Sequence, residues 1–417
     1  MSNPTRNIGK MINGHTNGKL FTKYFDKGDR TVVFNGNGRK LSIDTKVVHG
    51  GKYYDPQTGA VSFPIYQSAT FRHPGLNQTT GYDYSRLQNP TREEVENTLA
   101  YLENGSFAFA FSSGMAAIST ILSLFEPGQH IVVADDLYGG TYRLFEEVYK
   151  KYGIEFSYVD TSKIEELESN LKENTTAIFF ETPTNPMMKV ADIKLITELA
   201  KKHNILTIVD NTFLTPLYQK PLDLGADIVV HSGTKYLGGH NDTLAGFIVV
   251  NDSNLAEKVK LIQKSEGAVL SPFDSWLILR GIKTLSVRLK KQQENALEIA
   301  CWLKKNEKVE KVYHVGLPEH EGYEINKKQA SGFGAMISFT VKDVSLIERI
   351  LERVELVMFA ESLGGVETLI TYPIVQTHAA IPKEVRDRIG VNEKLLRLSV
   401  GIENAEDIIK DLEQAMG

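Results

Sequence analysis

The sequence predicts an α/β protein, a mostly parallel central sheet sandwiched by helices, followed by a smaller α/β domain at the C-terminal end. Three observations carry that expectation. Short apolar, β-branched or aromatic runs recur between residues 107 and 250, each bounded by turn residues and alternating with stretches of helical periodicity. After residue 250 the pattern turns helical, through 255–264 and a long run from 274 to about 305, and from residue 311 strands and helices mix again. The chain is 417 residues long, 41% hydrophobic and 24% charged, which is enough material for a buried sheet and more than one substructure. The division expected is an arm at 1–41, an N-terminal segment at 42–104, a first domain at 105–290 and a second at 291–417.

Composition narrows the function. A formal charge of −5 gives no basic field for nucleic acid or anionic membranes, so small molecules are the expected partners. No run of about 18 apolar residues is present, and the N-terminus lacks an apolar signal core. The single cysteine, Cys301, excludes an intrachain disulfide and fits a reducing, cytoplasmic setting. It falls in a predicted helix at 296–303, where a buried structural thiol is expected. Ten histidines show no ligand spacing, so no metal is expected.

In chain order, residues 1–40 are rich in Asn-Gly pairs and show no sustained periodicity, which predicts a flexible arm. Residues 42–87 are irregular and unusually rich in aromatic residues, ending in Gly81-Tyr82-Asp83-Tyr84-Ser85-Arg86. Asn89-Pro90-Thr91 then opens a helix at 92–102 with Val95, Leu99 and Leu102 on one face. A strand at 107–111 stops at Ser112-Ser113-Gly114-Met115 and leads into an apolar helix at 116–125. A strand that feeds a glycine turn and then a helix N-terminus gathers free N–H groups and the positive dipole end, which makes an anion cradle. A strand at 130–134 ends near Tyr138, which offers a flat face and a hydroxyl. A strand at 154–159, a charged helix at 162–171 and a strand at 177–180 follow, the last running into Glu181-Thr182-Pro183-Thr184-Asn185-Pro186. An amphipathic helix at 191–203 leads into residues 205–250.

That last stretch holds the chemistry. A buried strand at 205–209 ends in Asp210, and a second at 227–230 ends in His231-Ser232-Gly233-Thr234-Lys235. Pro216, Pro221 and Gly225 lie between, so the chain crosses over and returns to the same sheet. Asp210 and Lys235 then face the crevice at the carboxyl ends of neighbouring strands. Taken singly, Asp210 reads equally as a strand-end turn residue and Lys235 as a solvated loop lysine. Together they are what pyridoxal phosphate needs: a lysine for its aldehyde and a carboxylate for its ring nitrogen. Ser232 and Thr234 could donate hydroxyls to the phosphate.

VDNTF followed by HSGTKYLGGH resembles the signature of the Cys/Met-metabolism (trans-sulfuration) family of pyridoxal-phosphate enzymes, and the likeness runs from about residue 41 to the C-terminus. The family comprises cystathionine γ-synthases, γ-lyases and β-lyases, methionine γ-lyases and O-acylhomoserine sulfhydrylases. The resemblance implies fold type I, like aspartate aminotransferase, with 105–290 binding the cofactor, 291–417 serving the substrate and 42–104 touching a neighbouring subunit. It implies Lys235 as the Schiff-base lysine, Asp210 at the ring nitrogen, and Gly114, Met115, Ser232 and Thr234 at the phosphate. Tyr84 and Arg86 would reach across a subunit interface to the neighbour's phosphate. Tyr138 would stack on the ring and act as acid or base, Asn185 would lie near the ring hydroxyl and the substrate carboxylate, and Ser362 near the lysine. Arg397, within an alternating strand pattern, resembles the arginine that grips the substrate α-carboxylate.

The residues in FAESLGGVETL include Glu361, which resembles the glutamate that meets the distal ammonium of cystathionine in γ-synthases and γ-lyases. Gly140 departs from the methionine γ-lyase pattern, which carries a cysteine there. The expectation is a homotetramer, a dimer of dimers, working on cystathionine, activated homoserine and cysteine with γ-synthase or γ-lyase chemistry. The β-lyase reaction comes next, then O-acetylhomoserine sulfhydrylase or methionine γ-lyase action.

Overall fold

The computed structural model describes residues 41–50, 55 and 57–417. The expected flexible arm lies outside these residues except for Leu41. Residues 42–417 form one unit with two sheets. The first has seven strands, β1 (Phe107–Phe111), β2 (His130–Ala134), β3 (Glu155–Val159), β4 (Thr175–Glu181), β5 (Leu206–Asp210), β6 (Ile228–Ser232) and β7 (Gly246–Val250), in the order β1-β7-β6-β5-β4-β2-β3. From β3 to β6 every pairing is parallel, whereas β7 runs antiparallel to both β6 and β1. The reversal has a local cause. Residues 233–245 contain no helix to carry the chain back across the sheet, so β7 can only return alongside β6.

Successive residues of β2 show why the runs are continuously apolar. Ile131 and Val133 pack into one core with Phe109, Phe179 and Ile248, beneath the helices Gly114–Leu122 and Ser253–Glu266. Val132 and Ala134 face the other way, against Phe180, Val209 and the helix Ile193–Lys202. Both faces are covered, so alternation is lost and each strand reads as a block. Each fully buried Phe, Ile or Val side chain contributes about 1.5–3 kcal/mol.

The second sheet has β8 (Val309–Tyr313), β9 (Met336–Val341), β10 (Met358–Phe359), β11 (Leu369–Thr371) and β12 (Leu395–Ser399), in the order β10-β11-β12-β9-β8. Its inner face shares a core with the helix Leu285–Lys305 through Leu289, Ile299, Ile337, Phe339 and Leu398.

Two expectations are corrected. The helical run predicted at 274–305 is two helices, Pro272–Ile282 and Leu285–Lys305. Arg288 donates to the Gly281 carbonyl, an acceptor that an unbroken helix would use for itself, and also to the Tyr236 carbonyl. Cys301 is exposed, not buried. The buried stripe of its helix runs through Gln292, Asn295, Ala296, Ile299, Ala300 and Leu303, and Cys301 points off that stripe.

Candidate active site

The carboxyl ends of β1, β2, β4, β5 and β6 open into one cavity of about 330 Å³, closed on its far side by loops of the second sheet. Eleven of the thirteen site residues expected from the sequence line it: Gly114, Met115, Tyr138, Asn185, Asp210, Ser232, Thr234, Lys235, Glu361, Ser362 and Arg397. Tyr84 and Arg86 do not. Arg86 lies 5.7 Å from the Tyr84 ring and donates to the Lys264 carbonyl.

Asp210 ends β5 and Lys235 follows β6 by three residues, which places acid and amine on neighbouring parallel strands. Ser232, expected on a turn, is the last residue of β6. Lys235 Nζ donates to Ser362 Oγ at 2.8 Å. Burial, and then the charge of Arg397, pull the Lys235 pKa down to about 8, while Glu361 opposes them. An amine poised there is available as a base near neutral pH. Asp210 Oδ1 accepts the Thr212 N–H at 2.9 Å, and Thr212 Oγ1 accepts the Ser232 N–H at 2.8 Å, so this threonine ties the ends of β5 and β6 together.

The helix Gly114–Leu122 points its N-terminus into the cavity and is capped by Ser113 Oγ, which accepts the Ala116 N–H at 3.1 Å. A Cβ on Gly114 would come 3.0 Å from the Ser232 Cβ, so the two strand ends meet through backbone. On Gly140 a Cβ would meet the Tyr138 ring at 2.4 Å; the ring lies where a side chain at 140 would stand.

From the second sheet comes Arg397, in β12 and 1% exposed. It donates to Asn185 Oδ1 at 2.8 Å, to the Ser362 carbonyl at 2.9 Å and to Thr371 Oγ1 at 3.1 Å. Burial lowers its pKa to about 10, and its Nε has no partner. A buried guanidinium without a carboxylate partner is a ready site for one. Ser362 adopts φ +106°, a backbone region unusual outside glycine.

Sequence reasoning passed over several lining residues: Ser113, Thr212, Thr377 and above all Glu181. The available signal for Glu181 was its place, a carboxyl ending a strand in the layer that holds Asp210.

An amine with a depressed pKa beside a strand-end carboxyl, a helix N-terminus and hydroxyls at one end, and a partly unpaired guanidinium at the other fit pyridoxal phosphate carrying an amino acid. Among the described residues no cluster of three or more His, Cys, Asp or Glu side chains could hold a metal, and no helix is long and apolar enough to cross a membrane.

The fold and this set of groups define a pyridoxal-phosphate-dependent enzyme of fold type I. Residues 44–417 match the family of Cys/Met metabolism PLP-dependent enzymes, and the chain belongs to that family. A cystathionine beta-lyase of Lactococcus lactis subsp. cremoris is 52% identical over 375 residues, covering 90% of this chain and 99% of the relative. A cystathionine gamma-synthase/O-acetylhomoserine (thiol)-lyase of Bacillus subtilis (strain 168) is 51% identical over 374 residues, 90% of this chain and 96% of its own. The crystal structure of a cystathionine gamma-lyase from Lactobacillus plantarum complexed with L-serine superposes with a TM-score of 0.88 at 45% identity, covering 90% of this chain and 98% of that one.

Proposed function

We propose that the enzyme acts on cystathionine, making it from an activated homoserine and cysteine or cleaving it, with γ-synthase or γ-lyase chemistry. The observation that carries this reading is the placing of Glu361 and Arg397 in one cavity with Lys235. Arg397 would take the α-carboxylate, and Glu361 would meet the distal ammonium that distinguishes cystathionine from shorter amino acids.

Lys235 would hold the cofactor, Asp210 would face its ring nitrogen, and Gly114, Met115, Ser232 and Thr234 would hold its phosphate, helped by Tyr84 and Arg86 of the partner subunit. Bound pyridoxal phosphate supplies a ring that accepts electrons from the substrate α-carbon. The Lys235 amine would take the substrate's α-proton and, for γ-chemistry, would move a second proton at the β-carbon. Tyr138 assists the leaving group, and Asn185 holds Arg397 in register with the α-carboxylate. A homotetramer of catalytic dimers working in the cytoplasm belongs to the same reading; it is supported by Arg86 standing outside the lining of this chain's own cavity and by the single free cysteine.

A β-lyase reading draws support from the Lactococcus relative. Product analysis separates the reactions. Holoenzyme given L-cystathionine alone is expected to release cysteine and 2-oxobutyrate as a γ-lyase, or to leave it intact and accumulate it from O-acylhomoserine plus cysteine as a synthase. Homocysteine and pyruvate would overturn both in favour of β-lyase action.

A further inference from the structure

Asp136 follows β2, Glu181 ends β4 and Asp210 ends β5, and these three strands are adjacent in the order β5-β4-β2. Three carboxyls therefore follow one another across adjacent strand ends, two of which, Glu181 and Asp210, line the cavity. Each of the three has its own donors. Asp210 accepts the Thr212 N–H, and Asp136 accepts the Thr184 hydroxyl and, at 3.1 Å, the Met187 N–H. Glu181 is the middle one, directly in register with Asp210. It is 6% exposed, and its leading electrostatic neighbours are two further carboxyls, Asp210 and then Asp136, the latter itself pushed up to about 7 by burial.

Glu181 nevertheless has a structural task. Its Oε1 accepts the Tyr138 N–H at 2.9 Å. Tyr138 precedes the short helix Gly139–Arg143 and gives that helix no side-chain cap. The tyrosine's backbone is thus held from below by Glu181, and its ring from beside by the missing side chain of Gly140.

We propose that Glu181 is a positioning residue: it fixes the Tyr138 turn from the cavity floor, and it does so as the carboxyl set in register beside Asp210. Burial and the charge of Asp210 both push the Glu181 pKa well above the carboxylate range, more than the Tyr138 and Asn185 N–H groups pull it back. Asp210 is raised by burial too, but the Thr212 donors and the nearby His231 favour its anion. Of the pair, Glu181 is pushed the more strongly toward its neutral form, and Asp210 is the one whose donors favour the anion that the cofactor's ring nitrogen would require. A neutral Glu181 still accepts the Tyr138 N–H, because its carbonyl oxygen suffices.

The inference rests on the reading of Asp210 and Tyr138 as cofactor contacts, and the test separates the two. Glu181→Gln keeps shape and acceptor while removing the ionisable group; Glu181→Ala removes both. The cofactor-free proteins are titrated with pyridoxal phosphate calorimetrically in two buffers of different ionisation enthalpy, and kcat/KM is measured on the loaded enzymes. Glu181→Gln is expected to bind with the same proton count as wild type, within about 0.2 proton, because the Glu181 proton does not move. It should keep kcat/KM within about threefold, whereas Glu181→Ala loses about ten- to hundredfold with the Tyr138 N–H left unsatisfied. A proton count changed by about one in Glu181→Gln, or Ala equal to wild type, overturns the proposal. Should Ala fail to fold, the comparison of Gln with wild type decides alone. Lys235→Ala is the control for the underlying reading. If it keeps the wild-type absorbance of bound cofactor, the site assignment fails, whatever Glu181 does.

Discussion

Lys235 occupies a place that penalises its own charge. Its amine is buried against Arg397, with only a serine hydroxyl in hydrogen-bond contact among the described residues, and its pKa falls from 10.5 to about 8. The folded value lies below the unfolded one, so the unfolded chain binds more protons between those limits and stability rises with pH across them. Below pH 8 the folded protein carries a buried ammonium at a disadvantage of about 3 kcal/mol. Lys235→Met is therefore expected to raise the thermal midpoint of the cofactor-free protein at pH 7, with the gain shrinking from pH 8 and gone near pH 10.5. A gain that persists at high pH would mean packing, not charge, is responsible.

Among the elements, the strands were legible and the helix break was not. Buried parallel strands are continuous apolar blocks that end where the chain turns polar, so 205–209 and 227–230 could be read directly, and their polar ends named Asp210 and Lys235. Nothing in Lys283-Thr284 announces a break, because both residues are ordinary in helices. The cause lies at a distance, where Gly281 comes against the backbone of the lysine turn: a Cβ there would meet the Gly238 carbonyl at 2.2 Å and the Leu237 carbonyl at 2.7 Å. Gly281→Ala is expected to destabilise the protein by about 1–3 kcal/mol and to weaken cofactor binding as well, since the displaced backbone, Leu237-Gly238, belongs to the turn that carries Lys235. Urea midpoint and cofactor titration check this, and an unchanged cofactor affinity would uncouple the helix from the turn. Cys301 was misread for a similar reason: one position along a helix is a rotation of 100°, and composition does not report it.

At the scale of the molecule, the cavity needs both sheets, with acid and amine from one and guanidinium from the other. Residues whose chemistry is unusual at their place, such as Lys235 or Arg397, were readable from sequence. Those that matter through register, such as Glu181 beside Asp210 and Thr212 between two strand ends, emerge only once strand order is known. Arg86 raises the same question between chains. If sites are shared, mixing inactive Lys235→Ala and inactive Arg86→Ala subunits should restore activity to about a quarter of wild type, because half of the randomly formed dimers are mixed and each carries one intact site. No recovery after demonstrated exchange would confine each site to its own chain.

The hydrogen bond from Lys235 to Ser362 has a consequence of its own. It is a latch between the two halves of the cavity, and its bolt is the reactive amine. A ligand that engaged the amine would draw that bolt and leave Ser362 held through its carbonyl by Arg397, so the tie between the halves would pass from the lysine to the guanidinium.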